Sequence, residues 1–118
     1  FDLFTGVDNL AYEALSVGAV GWVAGLVVAF PKETVQIYQL MRAGRTAEAL
    51  EIYRWFRPLL DLDVSTYLVQ NIKLAGALAI GPTEHARRPR KPFAGDSRKK
   101  AEKVIRDAMA AREELAGG

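Results

Sequence analysis

The sequence predicts an α/β chain in which two strand–helix units are followed by three further helices. Three observations predict it. Residues 1–5 and 20–24 are short apolar runs that end on Gly6 and Gly25, as strands do. Each leads into a segment whose apolar residues recur at helical spacing. Beyond Gly44 the pattern is helical throughout, which places a boundary near residue 44.

The first strand, Phe1-Asp2-Leu3-Phe4-Thr5, closes on Gly6. Asp8 or Asn9 can then cap a helix by accepting a backbone N–H, with Leu10, Ala11, Ala14 and Leu15 on one face. Gly18 stands where a helix end calls for a left-handed residue. The second strand, Val20-Gly21-Trp22-Val23-Ala24, is apolar without alternation, so it is buried on both faces, as in a parallel sheet covered by helices. Pro31 opens the next helix, over about 31–43, because its missing N–H would be unpaired in the first turn anyway. Arg42 suits the dipole of the last turn and Gly44 ends it. Thr46 can cap a helix with the stripe Leu50, Tyr53, Phe56 and Leu60, which Pro58 bends or ends. Ser65 can cap the next, with Leu68, Val69, Ile72 and Ala75 on one side and Gly81-Pro82 as the stop. Residues 82–95 form a basic, proline-rich loop. Asp96 or Ser97 opens the last helix, carrying Ala101, Val104, Ile105, Ala108, Met109 and Leu115.

Composition narrows the functional classes. Half of the 118 residues are hydrophobic and a quarter charged, an ordinary globular balance, and 16 basic against 14 acidic residues leave +2. That excess is too small to imply a polyanionic partner. Without cysteine there are no disulfides, thiolate metal sites or cysteine nucleophiles, which fits a cytoplasmic protein. The apolar run 17–30 is interrupted by glycine and shorter than the ~20 residues of a membrane span, so no membrane partner is expected. The chain opens on a strand pattern rather than methionine. Two parallel strands cannot satisfy their edges or bury both faces alone. These points lead us to expect a C-terminal piece of a longer polypeptide.

The segment Phe4-Thr5-Gly6-Val7-Asp8 resembles the penultimate strand end of the dihydrodipicolinate synthase/N-acetylneuraminate lyase family, where a strand finishes in a Gly-x-Asp turn. Gly18-Ala19-Val20-Gly21-Trp22-Val23-Ala24 resembles that family's final strand. Pro31-Lys32-Glu33, Ala43-Gly44-Arg45 and Ala47-Glu48-Ala49 resemble its continuation, so the likeness covers essentially the whole chain. It implies that residues 1–44 are the last two β/α units of a TIM (β/α)₈ barrel and residues 45–118 a three-helix C-terminal extension. It further implies Schiff-base lyase chemistry on a small 2-oxo or imino acid, with no cofactor, in a homotetramer. The imine lysine, the threonine pair and the catalytic tyrosine belong to earlier strands, so no catalytic residue is expected here, and Lys32 and Lys73 are not replacements. By motif Gly6, Asp8, Asn9 and Gly25 fall where relatives contact the distal part of the substrate, and Val23 where a backbone carbonyl faces the imine lysine. Leu26-Val27-Val28 replace the Ser, Thr or Asn common there, which implies a drier pocket. Synthases proper carry Pro-x-Pro-Val-Lys where this chain has Leu68-Val69-Gln70-Asn71-Ile72-Lys73. That departure points to dehydratase or deaminase relatives, such as those acting on 1-pyrroline-4-hydroxy-2-carboxylate; aldolase chemistry, and synthase activity proper joining pyruvate to aspartate semialdehyde, stand as alternatives.

Plainer readings stand beside these. Asp8 is a ligand or simply a helix cap. Trp22 reads as core, and Tyr38 and Tyr53 as packing groups. His85, the one histidine, has no companions for a metal site and should face solvent. The basic run from Arg87 to Lys100 is broken by prolines and lacks aromatic stacking partners, so no nucleic acid is expected. The remaining alternative to an enzyme is a free-standing helical interaction module.

Overall fold

Two strands pair in parallel, β1 (Phe4–Thr5) and β2 (Gly21–Trp22), with Phe4 opposite Gly21 and Thr5 opposite Trp22. The structure is a computed structural model and describes the backbone of residues 1–117 and side chains as far as Arg112. Both strands are shorter than the sequence predicts. Their hydrogen bonding reaches a little further, since Val20 N–H donates to the Leu3 carbonyl and Val23 N–H to the Thr5 carbonyl, each at 2.8 Å. A pair with no flanking strand has two open edges and nothing to extend the ladder.

Helix α1 (Ala11–Ser16) links the strands and is preceded by a 3₁₀ turn, Asp8–Leu10. Neither Asp8 nor Asn9 caps it: Leu10 holds its cap position, Val7 that of the 3₁₀ turn, and no side chain bonds at either. Both side chains have stronger partners elsewhere. Gly18 has φ +107°, the left-handed conformation expected after this helix. A 3₁₀ turn, Leu26–Ala29, follows β2 and leads into α2 (Pro31–Arg42), with proline in its first turn as predicted. Then come α3 (Thr46–Leu60), α4 (Leu68–Ile80) and α5 (Gly95–Gly117). Thr46 starts α3 but makes no capping bond, and Pro58 lies in its final turn. The Ser65 hydroxyl accepts from Tyr67 N–H at 3.2 Å, so it acts just ahead of α4 rather than at its cap.

The core joins residues on both sides of position 44. Leu26, Val27, Phe30 and Ile37 pack with Tyr53, Phe56, Leu60, Leu74, Ala101 and Ile105. The α3 and α5 stripes are those expected, except that the Leu115 side chain lies outside the described residues. In α4 the buried face is rotated toward Asn71, Leu74 and Ala75, leaving Leu68 exposed. Asn71 can be buried because its amide donates to the Leu62 carbonyl and to the Ser65 hydroxyl, each at 2.9 Å. The end of α5 is tied to α2 by the Arg112–Glu33 ion pair, with the Arg112 guanidinium over the Phe30 ring. Among the described residues, no helix is long and apolar enough to cross a membrane.

Candidate functional site

The loops that leave the carboxyl ends of the two strands meet around one carboxylate. Asp8 follows β1 and is fully buried. Its Oδ1 accepts from the Trp22 indole N–H at 3.0 Å and from Gly25 N–H at 3.1 Å. Its Oδ2 accepts from the same Gly25 N–H at 3.1 Å and from Val27 N–H at 3.3 Å. A buried charge needs such donors to persist. Asp8 therefore ties the exit of β1 to the whole turn that leaves β2.

A second carboxylate reaches the same turn from the helical half. Asp63 sits in the 3₁₀ turn Asp61–Val64 between α3 and α4, and its Oδ1 accepts from Leu26 N–H at 3.1 Å. Three consecutive N–H groups, of Gly25, Leu26 and Val27, are thus held by two carboxylates. Burial pushes the Asp63 carboxyl above its ordinary range, the Asp8 charge adds to that, and the Leu26 N–H only partly offsets it. Gly25 is glycine for a local reason. A Cβ there would lie 2.6 Å from Asp63 Oδ1 and 3.0 Å from Oδ2.

The other site candidates separate. Gly6 is exposed, and a Cβ on it would stand 3.8 Å from the Val23 carbonyl oxygen, so these two face each other across the strand ends. Asn9 turns away from them and donates to Asp61 Oδ1 at 3.0 Å, an oxygen also bonded by Arg57 Nε at 3.0 Å. Burial would raise the Asp61 carboxyl, but Asn9 and Arg57 outweigh it and hold it below the usual range. Trp22 is half-buried and packs against the core, as expected. Val23 and Val28 are exposed, whereas Leu26 and Val27 are buried.

Asp61 and Asp63 were not legible as site residues. Their only sequence signal is Asp61-Leu62-Asp63 after a proline-terminated helix, and nothing in it points to residues 9 and 25. Tyr53 packs in the core as expected, whereas Tyr38 lines the groove beside β2, and each donates one hydrogen bond. Tyr38 donates to the Val20 carbonyl at 2.8 Å, and Tyr53 to Glu13 at 3.0 Å. Burial and the Glu13 carboxylate raise the Tyr53 phenol well above its ordinary value. Lys32, Lys73 and His85 are exposed. Among the described residues, no group of three or more His, Cys, Asp or Glu side chains is placed to hold a metal ion.

Comparison with known proteins gives a consistent answer. The family model of the dihydrodipicolinate synthetase family matches residues 1–108. A Coccidioides immitis protein named "Putative 4-hydroxy-2-oxoglutarate aldolase, mitochondrial" is 32% identical over 114 residues, covering 93% of this chain and 36% of that protein. The 4-hydroxy-tetrahydrodipicolinate synthase 1 of Halalkalibacterium halodurans is 28% identical over 105 residues, covering 89% of this chain and 36% of the relative. Among solved structures, a variant of the 2-keto-3-deoxygluconate aldolase of Sulfolobus solfataricus superposes with a TM-score of 0.80 at 21% identity, covering 96% of this chain and 39% of that one. The chain thus spans little more than a third of the relatives it matches. It shares the fold of part of their TIM barrels, and here that part is mostly helical with a small two-stranded sheet.

Proposed function

Because the chain belongs to the dihydrodipicolinate synthetase family, we propose that it is the closing portion of a Schiff-base lyase acting on a small 2-oxo or imino acid. The observation that carries this reading is the meeting of Gly6, Asp8, Val23 and Gly25 at the carboxyl ends of two parallel strands. That is the end at which barrels of this kind build their active sites. Residues 1–44 then supply the last two β/α units and residues 45–118 the helical extension. The open sheet edges take the neighbouring strands. An apolar cavity of about 370 Å³ beside β2, lined by Phe4, Val20, Trp22 and Val35 among others, takes part of the remaining barrel.

The chemistry comes from a lysine on another strand. Its amine condenses with the C2 carbonyl of a 2-oxo acid and releases water, or exchanges with the C2 imine of a cyclic imino acid and frees the substrate nitrogen as an amine; the protonated imine then accepts the electron pair of the bond broken at the adjacent carbon. Gly6, Asp8, Asn9 and Gly25 belong to the wall at the distal part of the substrate, with Asn9 set behind it on Asp61, and the Val23 carbonyl is turned toward that lysine. Asp8 serves the wall from behind, through the donors it holds. The helices of the extension carry packing and assembly into a homo-oligomer, a tetramer as the family resemblance implies. Within the family we assign dehydration or deamination of a hydroxyproline-derived acid, supported by Leu68-Val69-Gln70-Asn71-Ile72-Lys73 in place of the synthase stretch. A second reading, aldol cleavage of a 4-hydroxy-2-oxo acid, is favoured by the 32% identity to the Coccidioides protein.

Borohydride reduction of the complete polypeptide with pyruvate tests the reading. One pyruvyl adduct per chain is expected, and an unchanged mass would sink it. Ammonia release from 1-pyrroline-4-hydroxy-2-carboxylate against pyruvate release from 4-hydroxy-2-oxoglutarate then separates the two reactions. A polypeptide far short of the ~300 residues of a single-domain barrel would favour the helical-module alternative instead.

A further inference from the structure

The helical half of the chain grips both strand exits at one corner. Asp61 and Asp63 lie in the short turn between α3 and α4. Asp61 accepts from Asn9, which follows β1, while Asp63 accepts from Leu26 N–H, which follows β2. The two contacts span 52 and 37 residues of sequence, so neither serves local turn formation. Asp63 stands in van der Waals contact with Gly25, where only a hydrogen in place of a side chain leaves it room.

Asp63 is also an expensive residue to place there. Burial and the neighbouring Asp8 both disfavour its charge, and it has one backbone donor to compensate. What the pair of carboxylates achieves is geometric. With Asp8 holding Gly25 and Val27 from one side and Asp63 holding Leu26 from the other, three successive peptide units are fixed in direction. The Val23 carbonyl lies two residues before this clamp.

We propose that the corner Asp61–Asp63 is a positioning element for the reacting end of the barrel, with Asp63 a positioning residue that sets the place of Gly25 and of the Val23 carbonyl against the substrate. The inference rests on the lyase reading above. It assigns the extension a role in turnover besides packing, exerted through backbone geometry and without contact to the substrate.

The test uses the complete enzyme and three variants, Asp63→Ala, Asp63→Asn and Gly25→Ala. Pyruvate trapping by borohydride reports imine formation, and steady-state turnover of the accepted substrate gives KM and kcat per folded site. Asp63→Ala should trap pyruvate like the wild type yet raise KM or lower kcat/KM on the order of 10- to 100-fold, the scale of a misplacement near 1 Å. Asp63→Asn keeps an oxygen for Leu26 N–H and should restore most of the loss. Gly25→Ala displaces the Asp63 carboxylate from the other side, and combined with Asp63→Ala it should cost no more than Asp63→Ala alone. Strictly additive losses, or an Asp63→Ala enzyme with wild-type KM and kcat but lowered stability, would overturn the inference alone. A wild type that forms no pyruvate adduct would defeat this inference and the lyase reading together.

Discussion

Replacing Asp8 by alanine separates two roles that the residue type alone leaves equal. As a helix cap, Asp8 would contribute about 1 kcal/mol. In the structure it caps nothing and accepts from three donors, the Trp22 indole, Gly25 N–H and Val27 N–H, while fully buried. Hydrogen bonds to a buried charge are worth roughly 1.5–3 kcal/mol each, although the 3.3 Å bond from Val27 belongs at the lower end. Removing the acceptor strands all three donors. Two effects offset part of the loss: Asp63 is relieved of a neighbouring charge, and water can enter the vacated space. The balance is a loss of about 3–5 kcal/mol, several times that of a cap. Urea denaturation followed by far-UV circular dichroism gives the number. Trp22→Phe alone removes one donor and should cost about 1–2 kcal/mol. Combined with Asp8→Ala it should cost clearly less than the sum of the two, with a coupling of ~1 kcal/mol. A loss near 1 kcal/mol for Asp8→Ala, or additive losses in the pair, would refute the clamp.

Four further outcomes are expected. Ile105→Asp places an unpaired carboxylate among fully buried neighbours and should cost several kcal/mol, read as lost folded yield or assembly by light scattering. The Asp63 carboxyl is raised in the folded state, so its contribution to stability is complete below the unfolded value and is lost as pH rises through the folded one. Asp63→Asn should remove that component, leaving stability at neutral pH unchanged or slightly higher in pH-dependent unfolding. Asp61 is lowered, so its contribution is present above the unfolded value and fades as pH falls; Asp61→Asn should flatten only the acid limb. Gly44→Ala forces a side chain into φ +74° with open space around it, and should cost about 1 kcal/mol in thermal unfolding, with no change in turnover.

Local rules carried much of the fold. Pro31, Gly18, Gly44 and Gly81 sit at helix ends because their own backbone preferences decide the matter, and each stands where its residue type predicts. The α3 and α5 stripes were equally readable, since periodic burial needs no knowledge of the partner. Non-local chemistry was not. The apolar side expected for α4 leaves Asn71 out, but a hydrogen-bonded loop carbonyl nine residues back lets it face inward. Asp8 reads from sequence as a ligand or a cap, because these are the nearest uses for an aspartate after a strand. Its actual donors lie 14 to 19 residues away. Asp63 had no signal pointing to its partner, because the glycine it presses on is 38 residues earlier. The strand ladders came out shorter than their apolar runs, for a parallel pair alone has no neighbours to lengthen it.

In the proposed lyase this chain builds wall and scaffold while the imine lysine lies elsewhere in the polypeptide. Borohydride trapping of the complete enzyme with pyruvate, followed by peptide mass mapping, tests it directly. A single pyruvyl-lysine is expected on a peptide outside residues 1–118, and no adduct when residues 1–118 are treated alone. A stoichiometric adduct on Lys32 or Lys73 would contradict it.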